Sequence, residues 1–172
     1  MAKQSKHKAA IPNPALEPLS VLVGEWETIG THRLIPNTTL HGHTSFSWFE
    51  GGAFLMMRSE IEERVGIPSG VAIFGSDNVA EAYFMLYFDE RGVSRKFEVV
   101  LRDNVVKFWR NAPGFSQQFT GTIADKGETI IGIWELSEDD TTWKRDLELT
   151  YTRSRKASRK KMPLTIESLI PS

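Results

Sequence analysis

Apolar and polar residues alternate with a period close to two from residue 24 to residue 153, which is the period of β-strands. Turn residues interrupt the alternation repeatedly, as in Glu50-Gly51-Gly52 and Asp103-Asn104. Links of two to five residues join neighbours antiparallel, so the sequence predicts an all-β, up-and-down fold. About ten strands are expected, near residues 24–34, 40–49, 53–63, 70–75, 80–88, 93–102, 105–110, 115–123, 129–137 and 142–153.

The first and last of these strands indicate that the sheet closes on itself. The first begins with Gly24-Glu25-Trp26 and the last ends at Arg153. Pairing them would remove both exposed sheet edges, so we expect a closed antiparallel barrel. Ahead of the first strand, Pro14 to Leu22 is predicted to form a short helical plug with Asn13 as its cap, since proline is favoured at the first helical position.

Length and composition favour one domain. The chain has 172 residues, 40% of them hydrophobic, which is enough for a single core without staples. We expect a disordered segment at 1–13, the barrel at 14–153 and a basic tail at 154–172. The two ends carry +3 and +4, which leaves about −8 for the barrel. An acidic body repels nucleic acid and membrane surfaces, so neither is an expected partner. These charges are compatible with a homodimer.

The cysteine count bears on location and chemistry. There are no cysteines, which excludes disulfides and thiol catalysis and fits a reducing compartment. No apolar run follows the lysines of the N-terminal segment, and no stretch approaches the roughly 18 apolar residues of a spanning helix. The sequence therefore predicts a cytoplasmic protein.

Several motifs resemble those of the calycin superfamily, which comprises lipocalins, fatty-acid-binding proteins and nitrobindins. The Gly24-x-Trp26 motif follows a short helix, and Arg153 lies two residues after Tyr151 on the last strand. The segments YFDERGVSR (87–95), PGFSQQF (113–119), GIWE (132–135) and WKRDLELTYTR (143–153) look like those of a bacterial calycin-like family of unknown function. The resemblance covers about 130 residues and implies the barrel fold, but no activity.

The resemblance also suggests roles for individual residues. In lipocalins the Gly-x-Trp tryptophan closes the barrel floor beneath a late basic residue, so Trp26 and Arg153 are expected to close it here. Nitrobindins bind haem through a late histidine, but all four histidines of this chain lie in its first 43 residues. Fatty-acid-binding proteins hold a carboxylate with Arg-x-Tyr on the last strand, where this chain has the reverse order, Tyr151-x-Arg153.

Strand alternation and turn length predict which side chains face the interior. Three arginines fall on inward positions, and a buried guanidinium needs an anionic partner, because a stranded charge is costly. An anionic head group held by bidentate hydrogen bonds would supply that partner, although arginines at the barrel mouth could also extend into solvent. The predicted ligand-binding residues are His32, Phe46, Trp48, Phe84, Arg95, Phe108, Arg110, Phe119, Trp134, Arg145 and Tyr151, with Met85 and Met56 or Met57 completing the apolar wall.

Three functions remain open at this point. We favour reversible binding of a small amphipathic or anionic ligand inside the barrel, without a cofactor, because the chain has no nucleophile elbow or phosphate loop. The alternative is a haem-binding or enzymatic barrel that uses His32, which lies ~20 Å along the strand from Trp26, at the open end. The third is a filled barrel that acts as an interaction module through residues 154–172.

A metal site is not predicted. His41-Gly42-His43 puts two imidazoles on one face of a strand, and His32 on the preceding strand could complete a triad. Alternation argues against this triad, because Phe46 belongs inside and the same alternation sends His41 and His43 outward. His32, in contrast, shares the inward face of Trp26.

Overall fold

The computed structural model describes residues 10–63, 66–77 and 82–155, and it shows a closed antiparallel barrel. Each strand pairs with its neighbours in sequence, and the last pairs with the first, as predicted. The strands are β1 (Gly24–His32), β2 (Ile35–Phe49), β3 (Phe54–Ile61), β4 (Gly70–Asp77), β5 (Ala82–Asp89), β6 (Ser94–Arg102), β7 (Val105–Arg110), β8 (Ser116–Ala124), β9 (Thr129–Ser137) and β10 (Lys144–Arg153).

The seam between β1 and β10 pairs residues 26–32 with residues 147–153. Trp26 lies opposite Arg153 at the closed end, and His32 lies opposite Leu147 at the open end. Because β1 also pairs with β2, neither terminal strand leaves a free row of backbone donors and acceptors. The sheet therefore closes without a helix or loop covering an edge.

The predicted N-terminal plug is a 3₁₀ helix at Pro14–Leu22. Leu16, Leu19 and Leu22 are all 1% exposed or less, and their spacing of three residues puts them on one face, because a 3₁₀ helix has three residues per turn. The Oδ1 of Asn13 accepts a hydrogen bond from the backbone N–H of Ala15 at 3.1 Å, which confirms the predicted cap. This leucine face covers the closed end of the barrel core.

The floor of the barrel is the contact between Trp26 and Arg153, as expected. Trp26 is completely buried, and its indole N–H donates to the carbonyl of Leu22 at 2.9 Å. The guanidinium carbon of Arg153 lies 4.2 Å from the indole centroid. The same guanidinium donates to the carbonyls of Val21, Val23 and Gly127 at 2.6 to 3.1 Å. One side chain therefore ties the plug, β1 and the β8–β9 turn together.

The glycine of the Gly-x-Trp motif makes room for this arginine. Gly24 has a φ of +138°, and a Cβ there would lie 2.5 Å from Nη1 of Arg153. A larger residue would be strained and would displace the guanidinium.

The predicted orientation of β5 is wrong. The last pair before the β5–β6 loop is Phe88 with Ser94, so the loop has five residues rather than four. Because an odd loop length reverses the alternation, Met85 and Tyr87 face inward and Phe84 lies outside, where its ring covers Gly75. Arg95 on β6 faces the interior, as predicted.

Arg145 also lies outside rather than inside. It pairs with Glu135 on β9, but Leu147 pairs with Trp134, so Asp146 is an extra residue in a β-bulge. Sequence alternation alone carries no signal for this bulge. The Arg145 side chain is 62% exposed and contacts Glu148 at 3.0 Å.

Strand β2 begins five residues earlier than predicted. His32 pairs with Ile35, so Arg33 and Leu34 form a tight hairpin turn. The pairing then shifts between His32 and Gly30, and Asn37 within this irregular stretch has a φ of +64°. Pro36 and Asn37, which favour turns, account for the error.

The described residues include no helix that is both long and apolar enough to cross a lipid bilayer. The predicted N-terminal segment lies mostly outside the described residues, as does the predicted basic tail.

Replacing Arg153 with methionine tests the floor. The variant leaves three carbonyls without their charged donor, so we expect the free energy of unfolding to fall by about 2–4 kcal/mol in urea titrations. Arg145→Met is the matched control, because that arginine is exposed, and a change within about 0.5 kcal/mol is expected. Equal losses in the two variants would contradict the role of Arg153.

Candidate functional site

A cavity of about 290 Å³ opens at the barrel end opposite Trp26. The loops after β1, β3, β5, β7 and β9 all lie at this end, because the meander alternates direction. His32 at the end of β1, Ile67 and Pro68 of the β3–β4 loop, and Arg91 of the β5–β6 loop line its mouth. The cavity occupies the upper barrel, above the packed core.

Aromatic rings form much of the cavity wall. Phe97, Phe108 and Trp134 line it directly, and Met57 and Met85 complete the apolar surface. Trp134 lies 5.8 Å from Phe97 and 6.3 Å from Phe108, measured between ring centroids. These contacts fix the rings against one another, so the wall is largely preformed.

Phe119 supports this wall from within the core. Its ring stacks on Phe108 at 5.0 Å and lies 5.1 Å from Trp134. A Cβ on Gly132 would come within 2.5 Å of the Phe119 ring, and one on Gly121 within 2.8 Å. The two glycines make the space that the ring fills.

Arg95 brings a positive charge into the cavity. Its Nη1 donates to Oε1 of Gln117 at 2.8 Å, and its guanidinium lies 5.1 Å from the ring centroid of Phe115. Burial lowers the pKa of Arg95 from its ordinary value, and repulsion from Arg110 and Arg91 lowers it further. No carboxylate among the described residues forms an ion pair with Arg95.

The neighbouring carboxylate of Asp89 is already occupied. It accepts from Nε of Arg91 at 3.2 Å and from Nη2 at 2.8 Å, and its side chain is shielded from solvent. These hydrogen bonds lower the pKa of Asp89 to about 2. The hydroxyl of Tyr87 also donates to Asp89 at 3.2 Å, and burial, with the charge of Asp89, raises the pKa of Tyr87 to about 12. Asp89 therefore acts on Arg95 only through its electrostatic field and forms no ion pair with it.

Hydroxyl groups line the opposite side of the cavity. Thr28, Thr44, Ser59 and Tyr151 all border it. The Oγ1 atoms of Thr28 and Thr44 are 3.3 Å apart, and both threonines are buried. Burial raises the pKa of Tyr151 above its ordinary value, so its hydroxyl stays protonated.

His32 lines the mouth, but both of its ring nitrogens face protein groups. Nδ1 accepts a hydrogen bond from the backbone N–H of Leu34 at 3.1 Å, so the proton of the neutral ring sits on Nε2. Nε2 faces Asp146 at 3.7 Å, and Arg33 contacts the same carboxylate oxygen. In a catalytic His–Asp pair, one ring nitrogen bonds to the aspartate and the other faces the substrate. In His32 that other nitrogen, Nδ1, is occupied by the backbone N–H of Leu34.

His41 and His43 face outward, as predicted. His41 Nδ1 lies 2.8 Å from Glu63, and His43 Nε2 lies 2.6 Å from Glu25. Within the described residues, no three histidines or carboxylates form a cluster that could hold a metal ion.

The structure brings only some of the predicted site residues to the cavity. His32, Arg95, Phe108, Trp134 and Tyr151 line it. Phe46 and Phe119 are buried in the core, Arg110 lies near Arg95 at the end of β7, and Phe84 and Arg145 are outside. Trp48 is 39% exposed. Phe46 pairs with Gly24, the first residue of β1, so Trp48 lies on a part of β2 that extends beyond β1.

Several lining residues were missed in the sequence. Thr28 and Thr44 share faces with Trp26 and Phe46, so alternation could have identified them. The inward orientation of Tyr87 could be predicted only with the true length of the β5–β6 loop. The position of Asp146 at the cavity depends on the bulge, for which the sequence has no signal.

The comparisons with known proteins support the fold. No protein-family model matches the chain, and no curated protein matches it. Among solved structures it is similar to the crystal structure of Rv2717c from M. tuberculosis, with a TM-score of 0.60 and 14% identity. The alignment covers 83% of this chain and 99% of that chain. At this identity the similarity is one of fold alone: a closed ten-stranded antiparallel barrel.

Removal of the Asp89 carboxylate should give a pH-dependent loss of stability. A carboxyl whose pKa falls from 3.8 in the unfolded chain to about 2 in the fold stabilises the fold above 3.8, and this stabilisation disappears as the pH drops toward 2. We expect Asp89→Asn to lower the free energy of unfolding by about 1 kcal/mol at pH 7. The gap to the unmodified protein should narrow below pH ~4.

Asp103→Asn provides the control, since the Asp103 side chain is 91% exposed. Urea titrations of the three proteins between pH 2.5 and 7 measure the effect. A gap for Asp89→Asn that is the same at every pH would contradict the assignment.

Proposed function

We propose that this protein reversibly binds a small amphipathic anion in the upper barrel, in the manner of the calycin-like carriers that its sequence resembles. The aromatic wall would hold the apolar body of the ligand, and Arg95 would bind its anionic group. The proposal requires no cofactor and no chemical step.

The observation that carries the proposal is the charge of Arg95. Its guanidinium lines the cavity, and its only hydrogen-bond partner among the described residues is the neutral side chain of Gln117. The ring of Phe115 lies against the guanidinium, which excludes water from part of it. A carboxylate of the ligand would give the guanidinium the ion-pair partner that no described residue supplies.

The cavity size indicates a modest ligand. Its volume of about 290 Å³ is roughly twice the ~150 Å³ of an apolar cavity that holds one benzene molecule. An acid with an apolar body of about two rings would fill it. Flat rings also match the aromatic wall, where ring edges and faces are both available.

Three observations support the calycin-like assignment. The barrel is closed and up-and-down, with β10 pairing onto β1. The Gly24-x-Trp26 motif and Arg153 form the floor contact that the sequence resemblance implied. The solved structure from M. tuberculosis has a similar fold over most of both chains.

The alternative functions have less support. A haem iron or a substrate proton would need a free nitrogen on His32, but Nδ1 accepts from the backbone N–H of Leu34 and Nε2 faces the carboxylate of Asp146 at 3.7 Å. The residues present therefore do not fit haem. The interaction-module hypothesis depends on the C-terminal segment, whose residues from 156 onward lie outside the described structure.

The test uses 2-naphthoate and its neutral analogue 2-naphthamide as probes in calorimetric titrations. We expect Arg95→Met to weaken naphthoate binding by about tenfold or more, since a hydrogen bond to a charged group contributes ~1.5–3 kcal/mol. Naphthamide binding should change by about twofold at most, because methionine retains the apolar stem.

Arg145→Met serves as the matched control, since it makes the same change in net charge on the outer surface. It should leave both affinities unchanged. Equal losses for the anion and the amide in Arg95→Met, or no binding of either probe to the unmodified protein, would refute the proposal.

A further inference from the structure

The cavity has a second polar region, on the wall opposite Arg95. It consists of the hydroxyl groups of Ser59 on β3, Thr44 on β2, Thr28 on β1 and Tyr151 on β10, which we call the hydroxyl row. Building on the proposed anion site, we propose that the ligand carries a neutral oxygen group, a hydroxyl or carbonyl, at the end opposite its acid, and that the hydroxyl row binds it. The ligand class is thus small oxygenated aromatic acids.

Strand pairing makes the row continuous. The four residues lie on four successive strands around the barrel. Ser59 is directly opposite Thr44, and Thr28 is directly opposite Tyr151. The contact of 3.3 Å between Thr28 and Thr44 joins the two pairs. The hydroxyls therefore form one continuous polar strip on this side of the cavity.

The row has unused hydrogen-bonding capacity. A hydroxyl can donate one hydrogen bond and accept two, and Thr28 and Thr44 use one bond between them. The hydroxyls of Ser59 and Tyr151 bond to no described residue. Among the described residues, every side-chain nitrogen or oxygen that is shut off from solvent has a hydrogen-bond partner. Because these two oxygens have none, they are accessible, and they face the open cavity. They are directed at space that a ligand would fill.

The two polar regions lie at opposite sides of the cavity. Arg95 is the second residue of β6, at the mouth, whereas Thr28 lies four residues below His32 on β1. Four residues correspond to ~13 Å along a strand. The aromatic series Phe97, Trp134, Phe119 and Tyr151, with centroid separations of 5.8, 5.1 and 6.5 Å, runs between them. An aromatic acid with a distal oxygen could contact both.

The deep group must be neutral, because no cation lies in the hydroxyl row. A second carboxylate there would be buried without a partner, which costs several kcal/mol. A wholly apolar end would leave the hydroxyls desolvated and unpaired, which is also unfavourable. Hydroxyl and carbonyl groups satisfy both constraints.

The experiment compares 6-hydroxy-2-naphthoate with 2-naphthoate by calorimetry. We expect the added hydroxyl to tighten binding to the unmodified protein about tenfold, as for one matched hydrogen bond. Tyr151→Phe should reduce this advantage to about twofold or less, and the affinity for 2-naphthoate should stay within about twofold. Thr28→Val, which keeps the side-chain shape, should also reduce the advantage.

Tyr83→Phe is the matched control, because Tyr83 packs against the core but does not line the cavity. The advantage of the added hydroxyl should survive in it. If 2-naphthoate binds through Arg95 but the hydroxyl gives no gain, or if the gain survives both Tyr151→Phe and Thr28→Val, the inference is overturned and the proposed function stands. If neither naphthoate binds, both fall together.

Discussion

The closed barrel depends on the guanidinium of Arg153. It lies over the buried indole of Trp26 and donates to carbonyls of the plug, of the approach to β1 and of the β8–β9 turn. The β1–β10 seam ends at the pair of Trp26 and Arg153, so one contact both completes the closed sheet and seals its lower end. One end is sealed by a planar cation and three leucines, and the cavity lined by the described residues opens at the other end.

The interior divides into two layers that differ in packing. Below, Phe108 contacts Phe74 on one side and Phe119 on the other, and the three rings fill the space between strands. Above, the rings of Phe97 and Trp134 line one side, and the small polar side chains of Thr28 and Ser59 occupy the other side, next to Tyr151. A ten-stranded barrel is wide enough for this asymmetry to leave a void, which small side chains on one wall do not fill.

Much of this arrangement was predictable, and the errors in side-chain orientation have one physical origin. Strand number, closure and the plug follow from alternation, turn residues and helix-capping residues, and the floor was implied by the family resemblance of Gly24-x-Trp26 and Arg153. Side-chain orientation does not, because a single residue more or less in a loop or strand reverses it. The five-residue β5–β6 loop put Tyr87 inside and Phe84 outside, and the bulge at Asp146 put Arg145 outside. Where turn length was read correctly, as at Asp103-Asn104, Phe108 was placed correctly.

The bulge at Asp146 has a consequence for how such a barrel can change in evolution. One extra residue in β10 adds a carboxylate at the mouth, while Leu149 and Tyr151 deeper in the strand keep their places. Single-residue insertions or deletions near the rim could therefore alter the charge of the entrance without disturbing the floor. Related barrels that differ only in such insertions would keep the same scaffold and present a different charge at the entrance.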